Sequence, residues 1–448
     1  MNPSPSLSAA ELNPVLERLS SANRQFLQQY PGESNRRQPV HVVYGGAHLF
    51  KADTARRLGG LALKSMAQYA PDGPSLGRAL EAEWPEAFAR DLHARILSKL
   101  EREAVEDFRL DFEDGYGSRP DAEEDAHAIS SAQEVAAGLA AGTLPPFLGI
   151  RIKPLNEDTR TRSLRTLDLF LTTLTDLTGG SLPEQFVITL PKVQLAAQVT
   201  AAESVCDLLE AKLTLPVGVL RLELMLETPQ SILDAQGICP LQSFLAAAQG
   251  RCGSVHFGVY DYTASYGITA AWQAMGHPAC DFARTVMTTA LAGTGVHLSD
   301  GATNILPVGP HRGAELTAAQ DEENRTAVHG AWRLAFKDNL HSLRHGLYEG
   351  WDLHPAQFIP RYAAVYSFFL SALPAATGRL KTFVEKAAQA SLFGDVFDDA
   401  ATGQGLLNFF LRGIACGAIT ETEALATGLS LEEIRTRSFQ KILEARRG

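Results

Sequence analysis

The stretch FRLDFED at residues 108–114 constrains this chain more than any other. Phe108, Leu110 and Phe112 alternate with Arg109, Asp111 and Glu113, the period of a β-strand with one apolar and one ionised face. An ionised face cannot enter an apolar core without partners, so it must meet a polar cavity, opposing charges or a metal. The pattern recurs. In FLGIRIKP (147–154), Leu148, Ile150 and Ile152 oppose Arg151 and Lys153. In VLRLELMLET (219–228), four leucines oppose Arg221, Glu223, Met225 and Glu227. HVVYGG (41–46), FVITLPKV (186–193) and VHFGVYDY (255–262) complete the strong strands; 295–298 and 350–354 are weaker ones. Helical patterns, 163–177 and 195–213 among them, lie between. About eight βα units over roughly 320 residues predict an α/β fold, a TIM (β/α)8 barrel, with apolar sets against the helices and charged sets inside.

The chain divides into an N-terminal helical extension (1–38), a barrel domain (39–366) and a C-terminal helical appendage (367–448). Ser8 with Glu11 starts a helix in the first, and Thr420 with Glu423 and Ser430 with Glu433 start helices in the last. Strands are expected to stop after about residue 366, and 303–324 reads as an inserted loop. Of the 448 residues, 40 are Lys or Arg and 51 Asp or Glu, a net charge of −11 that disfavours nucleic acid and anionic membrane as partners. Five scattered cysteines without CxxC spacing read as reduced thiols. With no basic-apolar leader or membrane-length apolar run, the expected location is cytoplasmic.

The inward faces direct Asp111, Glu113, Arg151, Lys192, Glu223 and Glu227 into one cavity, where they must pair or bind something ionic. Arg221 and Glu223 sit lower on their strand and also suit structural salt bridges, whereas Glu227 is at the top, where barrels carry chemistry. Gly258 permits close backbone approach, and Asp261 follows as the sixth strand opens. Two carboxylates at neighbouring strand ends without a nearby His or Cys pair form a hard oxygen site suited to Mg²⁺. On spacing alone Asp261 equally suits a helix cap. His354 in LHPAQ reads as a structural turn. His341 and His345 have i,i+4 spacing but no intervening glutamate of the zinc-protease type, and read as surface histidines.

DFED (111–114), the Arg151 strand, LPK (190–192), LET (226–228), FGVYDY (257–262) and HPAQ (354–357) occur in the order expected of citrate lyase β-subunit-like and malyl-CoA lyase-like barrels. LDFED, GVYDY and FDDAAT (397–402) resemble motifs of malate synthase in the same superfamily. The resemblance implies a Mg²⁺-dependent (or Mn²⁺-dependent) carbon–carbon lyase or synthase acting on a small 2-oxo acid such as glyoxylate, pyruvate or oxaloacetate, with an acyl-CoA or a plain carboxylic acid as the other half. It implies Glu227 and Asp261 as metal ligands, with Asp111, Glu113 and Asp114 around them. Arg151 would stabilise the oxyanion and Asp399 would be the base. Gly258, the backbone N–H groups of Val259, Tyr260 and Asp261, and Lys192 would bind substrate. Malate synthase activity on acetyl-CoA and glyoxylate is the enzymatic alternative, and an inactive binding or assembly barrel the non-enzymatic one. Arg151-Ile152-Lys153 departs from the Arg-Pro-Arg-like pattern of malate synthases, the chain is shorter than the usual ones, and it carries no clear acyl-CoA signature. A homo-oligomer is compatible with all of these readings.

Overall fold

A computed structural model of the chain describes residues 6–32, 37–313, 315–385, 391–393, 396–398 and 400–447. Eight strands close into a parallel barrel in sequence order: β1 His41–Gly46, β2 Asp107–Asp111, β3 Phe147–Arg151, β4 Gln185–Leu190, β5 Arg221–Leu226, β6 Cys252–Phe257, β7 His297–Ala302 and β8 Glu349–Trp351. The alternation dictates the layers. Leu110, Ile150, Ile188, Leu222, Leu224, Val255 and Phe257 are buried on the outer face against the helices, and the ionised residues turn inward. The register sets Asp111 beside Arg151, Arg151 beside Thr189, and Thr189 beside Glu223.

The lower interior is a closed polar network. Arg109 Nη2 donates to Glu223 Oε2 at 2.7 Å and Nε to Oε1 at 3.1 Å, while Nη1 bonds Asp107. Thr189 (2.6 Å) and Ser254 (2.7 Å) donate to the same Glu223 carboxylate. Burial opposes ionisation of Glu223, but Arg109 and His256 outweigh it and hold its pKa well below the carboxylate range. Glu223 is therefore a structural partner of Arg109 rather than part of an open site.

Three expectations need correction. The stretch 303–324 is loop only as far as residue 317, because Thr317 caps the helix Ala318–Arg344. The sixth strand stops at Phe257, and residues from Val259 begin a helix, Val259–Ser265. Beyond residue 366 there are two further short strands, β9 Ser391–Phe393 and β10 Val396–Asp398, paired antiparallel. The helix Phe358–Glu385 passes unbroken through residue 366 and carries the chain into the C-terminal helices. There Leu407, Phe410 and Ile434 join Phe369 and Phe383 in the same apolar core, and Arg95 pairs with Glu423 at 2.7 Å. The N-terminal helix Ala9–Gln29 has the expected Ser8–Glu11 capping box and no buried residue. Among the described residues, no helix is long and apolar enough to cross a membrane.

Candidate active site

The site lies just past the C-terminal ends of β2 to β6, where the strand period no longer fixes direction and side-chain hydrogen bonds take over. Asp111 ends β2 and turns the chain after it: its Oδ1 accepts from the Glu113 N–H at 2.9 Å and its Oδ2 from the Gly115 N–H at 2.7 Å. The same carboxylate grips Arg151 of β3 in a fork, Nε to Oδ1 at 2.7 Å and Nη2 to Oδ2 at 2.5 Å. Arg151 also meets Glu113 Oε2 at 3.2 Å, and its guanidinium lies 4.7 Å from the centre of the Tyr44 ring. Burial disfavours its charge, but Asp111 and Glu113 more than compensate, so its pKa is raised. A planar, permanently charged donor is thereby held in one orientation.

Lys192 follows β4 in a left-handed backbone conformation, φ 51°. Such a conformation in a non-glycine residue is strained, and here it serves two contacts. The Lys192 N–H donates to Glu227 Oε1 at 2.7 Å. Its ammonium pairs with Glu113 and lies 3.3 Å from both Asp114 Oδ2 and Asp261 Oδ2. Burial pushes the Glu113 pKa up; Arg151 opposes this and Asp114 adds to it.

Glu227 is 1% exposed. Burial drives its pKa well above the usual carboxylate range, and Asp261 adds to the rise against the pull of Lys192 and Arg151. Gly258 stands directly against it: a Cβ there would lie 2.4 Å from Glu227 Cβ and 2.5 Å from Oε2. Asp261 sits in the first turn of the Val259–Ser265 helix, on a side chain 42% exposed. Val259 is buried, and the Tyr260 hydroxyl donates to the Ala302 carbonyl at 2.8 Å.

Asp111, Glu113, Arg151, Lys192 and Glu227 thus converge, as the alternation implied, with Asp114, Gly258 and Asp261 beside them, whereas Glu223 stays below with Arg109. Asp399 lies outside the described residues. Tyr44 was missed; its inward place in HVVYGG was legible, its stacking under Arg151 was not. His354 caps a turn, accepting from the Ala356 N–H at 3.2 Å. His341 and His345 are not free surface residues: both are half-buried, and His341 Nε2 lies 2.8 Å from Asp281 Oδ1.

A family model described as a domain of unknown function, DUF6986, matches residues 19–442. No curated protein sequence matches the chain. Among solved structures, a citrate lyase from Burkholderia xenovorans LB400 aligns with TM-score 0.57 and 17% identity, over 88% of this chain and 96% of that one. The protein CitE from Mycobacterium tuberculosis, in complex with magnesium, acetoacetate and coenzyme A, aligns with TM-score 0.47 and 15% identity, over 86% and 100%. Malate synthase from Haloferax volcanii, in a magnesium and glyoxylate complex, aligns with TM-score 0.44 and 13% identity, over 90% and 98%. The first of these shows that the chain shares its barrel fold with that citrate lyase.

Proposed function

The chain belongs to the DUF6986 family, and we propose that it is a divalent-metal-dependent carbon–carbon bond lyase or synthase acting on a small 2-oxo acid. The observation that carries this reading is a charge imbalance. Five carboxylates (Asp111, Glu113, Asp114, Glu227 and Asp261) converge on two cations, Arg151 and Lys192. Arg151 is already committed to Asp111. Negative charge in surplus is costly where it is buried unless a cation or protons neutralise it; Glu227 is buried, and desolvation first and Asp261 second raise its pKa. The donors are all oxygen, which suits Mg²⁺ or Mn²⁺, and Mg²⁺ uses only one or two carboxylates alongside water and substrate. Glu227 and Asp261 would hold the ion, with Asp111, Glu113 and Asp114 around it. The bound ion would supply Lewis acidity toward the 2-oxo acid and fix the face its carbonyl presents.

The remaining chemistry belongs to the chain. A carbon next to a carbonyl is weakly acidic, so its deprotonation needs a base on one side and positive charge at the enolate oxygen on the other. Arg151 is the donor for that oxygen, preorganised by Asp111 and Tyr44. Lys192 and the first-turn N–H groups of Val259, Tyr260 and Asp261 would receive the substrate carboxylate. Asp399 would be the base, by its place in the FDDAAT motif. That motif also favours malate synthase-like chemistry with acetyl-CoA and glyoxylate as the second reading. The test is incubation with Mg²⁺, glyoxylate, pyruvate or oxaloacetate and a panel of acyl-CoAs and carboxylic acids, with products read by mass spectrometry. Products that depend on both metal and Arg151 support the reading. No product from any pair, together with no metal binding, would make this a binding or assembly barrel.

A further inference from the structure

A second cluster of metal-binding side chains lies in the outer helical layer, on elements the barrel-mouth chemistry does not use. Asp281 is in the first turn of the helix Pro278–Leu291. His341 is in the last turn of the helix Ala318–Arg344, and His345 is that helix's C-cap. One ligand atom from each of the three lies within 4.8 Å of the others, and among the described residues no other three His, Cys, Asp or Glu side chains come so close.

Three features suit these atoms to one ion. The i,i+4 spacing places both imidazoles on one helix face, with ring centres 4.3 Å apart. His345 Nδ1 lies 2.9 Å from the His341 carbonyl oxygen. A carbonyl only accepts, so Nδ1 carries the proton and Nε2 keeps its lone pair, the tautomer a metal-bound histidine takes. Asp281 is oriented from behind: Arg284 Nη1 donates to its Oδ1 at 2.8 Å, and Arg284 is itself fixed by Asp300 through Nε at 2.8 and 3.0 Å. Ser342 donates to that same Asp300 at 2.6 Å, so both helices share the support. The carbonyl end of the longer helix also favours a cation.

We propose that Asp281, His341 and His345 form a site for a divalent transition-metal ion of the zinc class, which clamps the helix Pro278–Leu291 to the end of the helix Ala318–Arg344. Two imidazoles and one carboxylate suit Zn²⁺, Ni²⁺, Co²⁺ or Cu²⁺, whereas Mg²⁺ prefers oxygen. Three protein ligands leave a position for water. The ion takes the place of the proton shared between His341 Nε2 and Asp281 Oδ1.

The experiment uses the full chain with Mg²⁺ in excess, so that oxygen sites are occupied. Zn²⁺ is titrated by calorimetry, Co²⁺ by its visible absorption, and the thermal midpoint is followed with and without Zn²⁺. The wild type should bind one equivalent and melt higher with Zn²⁺. His345→Ala and Asp281→Asn should each weaken binding at least about tenfold and abolish the thermal shift, while Mg²⁺ affinity stays as in the wild type. Zn²⁺ affinity unchanged in either variant, or no binding by the wild type, would reduce the cluster to a His–Asp hydrogen bond and overturn the proposal.

Discussion

Gly258→Ala tests the packing on which the barrel-mouth chemistry depends. The backbone at Gly258 has φ −89° and ψ 83°, which alanine can adopt, so the effect of the substitution is steric. The new Cβ would lie 2.4 Å from Glu227 Cβ and 2.5 Å from Oε2. Ordinary carbon contacts lie near 3.5 Å, so one side must yield by about 1 Å. Glu227 Cβ cannot swing away as a side-chain tip could, because it moves only with the backbone. That backbone is tied by the Gly258 N–H to the Leu226 carbonyl at 3.0 Å, and the Glu227 carboxylate by the Lys192 N–H at 2.7 Å. Overpacking of this kind costs about 1–3 kcal/mol of stability. A displacement of about 1 Å in a positioned group is worth about a hundredfold in function, or about 2.7 kcal/mol. Calorimetric titration with Mg²⁺, alongside thermal melting, should show a folded protein melting a few degrees lower, with Mg²⁺ affinity reduced about 10- to 100-fold. Wild-type Mg²⁺ affinity in Gly258→Ala would refute the placing of Glu227 as a ligand.

Arg151→Lys keeps a charge but loses the fork on Asp111, and turnover of whichever substrate pair the panel identifies should fall about a hundredfold; near-normal turnover would move the oxyanion role to Lys192. Asp399→Asn should leave Mg²⁺ and 2-oxo acid binding intact yet stop solvent deuterium exchange into the carbon acid, read by mass spectrometry. Burial raises the Glu103 pKa, but Arg37 and Lys99 outweigh it and bring it from 4.5 down to about 2. A depressed carboxylate pKa stabilises the fold above the unfolded value and loses that contribution as pH falls through the folded one. The stability gap between the wild type and Glu103→Gln, about 1–3 kcal/mol by urea unfolding, should therefore be full above pH 4.5 and shrink toward pH 2.

The barrel was legible because its strands carry their own period. Leu110 and Asp111, Ile150 and Arg151, and Leu224 and Met225 each point opposite ways, and closure of the sheet sends the charged set inward. β8 was faint because it is only Glu349–Trp351, and β7 because HLSDGA mixes polar residues and glycine. The error at GVYDY has a physical source: valine and tyrosine favour strands, but the Tyr262 N–H returns to the Gly258 carbonyl at 3.0 Å and a helix begins. Past the strand ends no period remains to read. The left-handed Lys192 and the stacking of Tyr44 on Arg151 depend on contacts between distant segments. The same holds for Asp281, which meets a histidine pair that was visible in the sequence only as an isolated i,i+4 repeat.

The central claim is that a divalent ion is held by Glu227 and Asp261 at the barrel mouth. Glu227→Gln tests it most directly, because the amide oxygen can still accept the Lys192 N–H while the negative charge is lost. Mg²⁺ binding, measured by calorimetry and by competition with Mn²⁺ followed by electron paramagnetic resonance, should be abolished in a variant that remains folded and melts no lower than the wild type. Unchanged Mg²⁺ affinity in folded Glu227→Gln would contradict the claim.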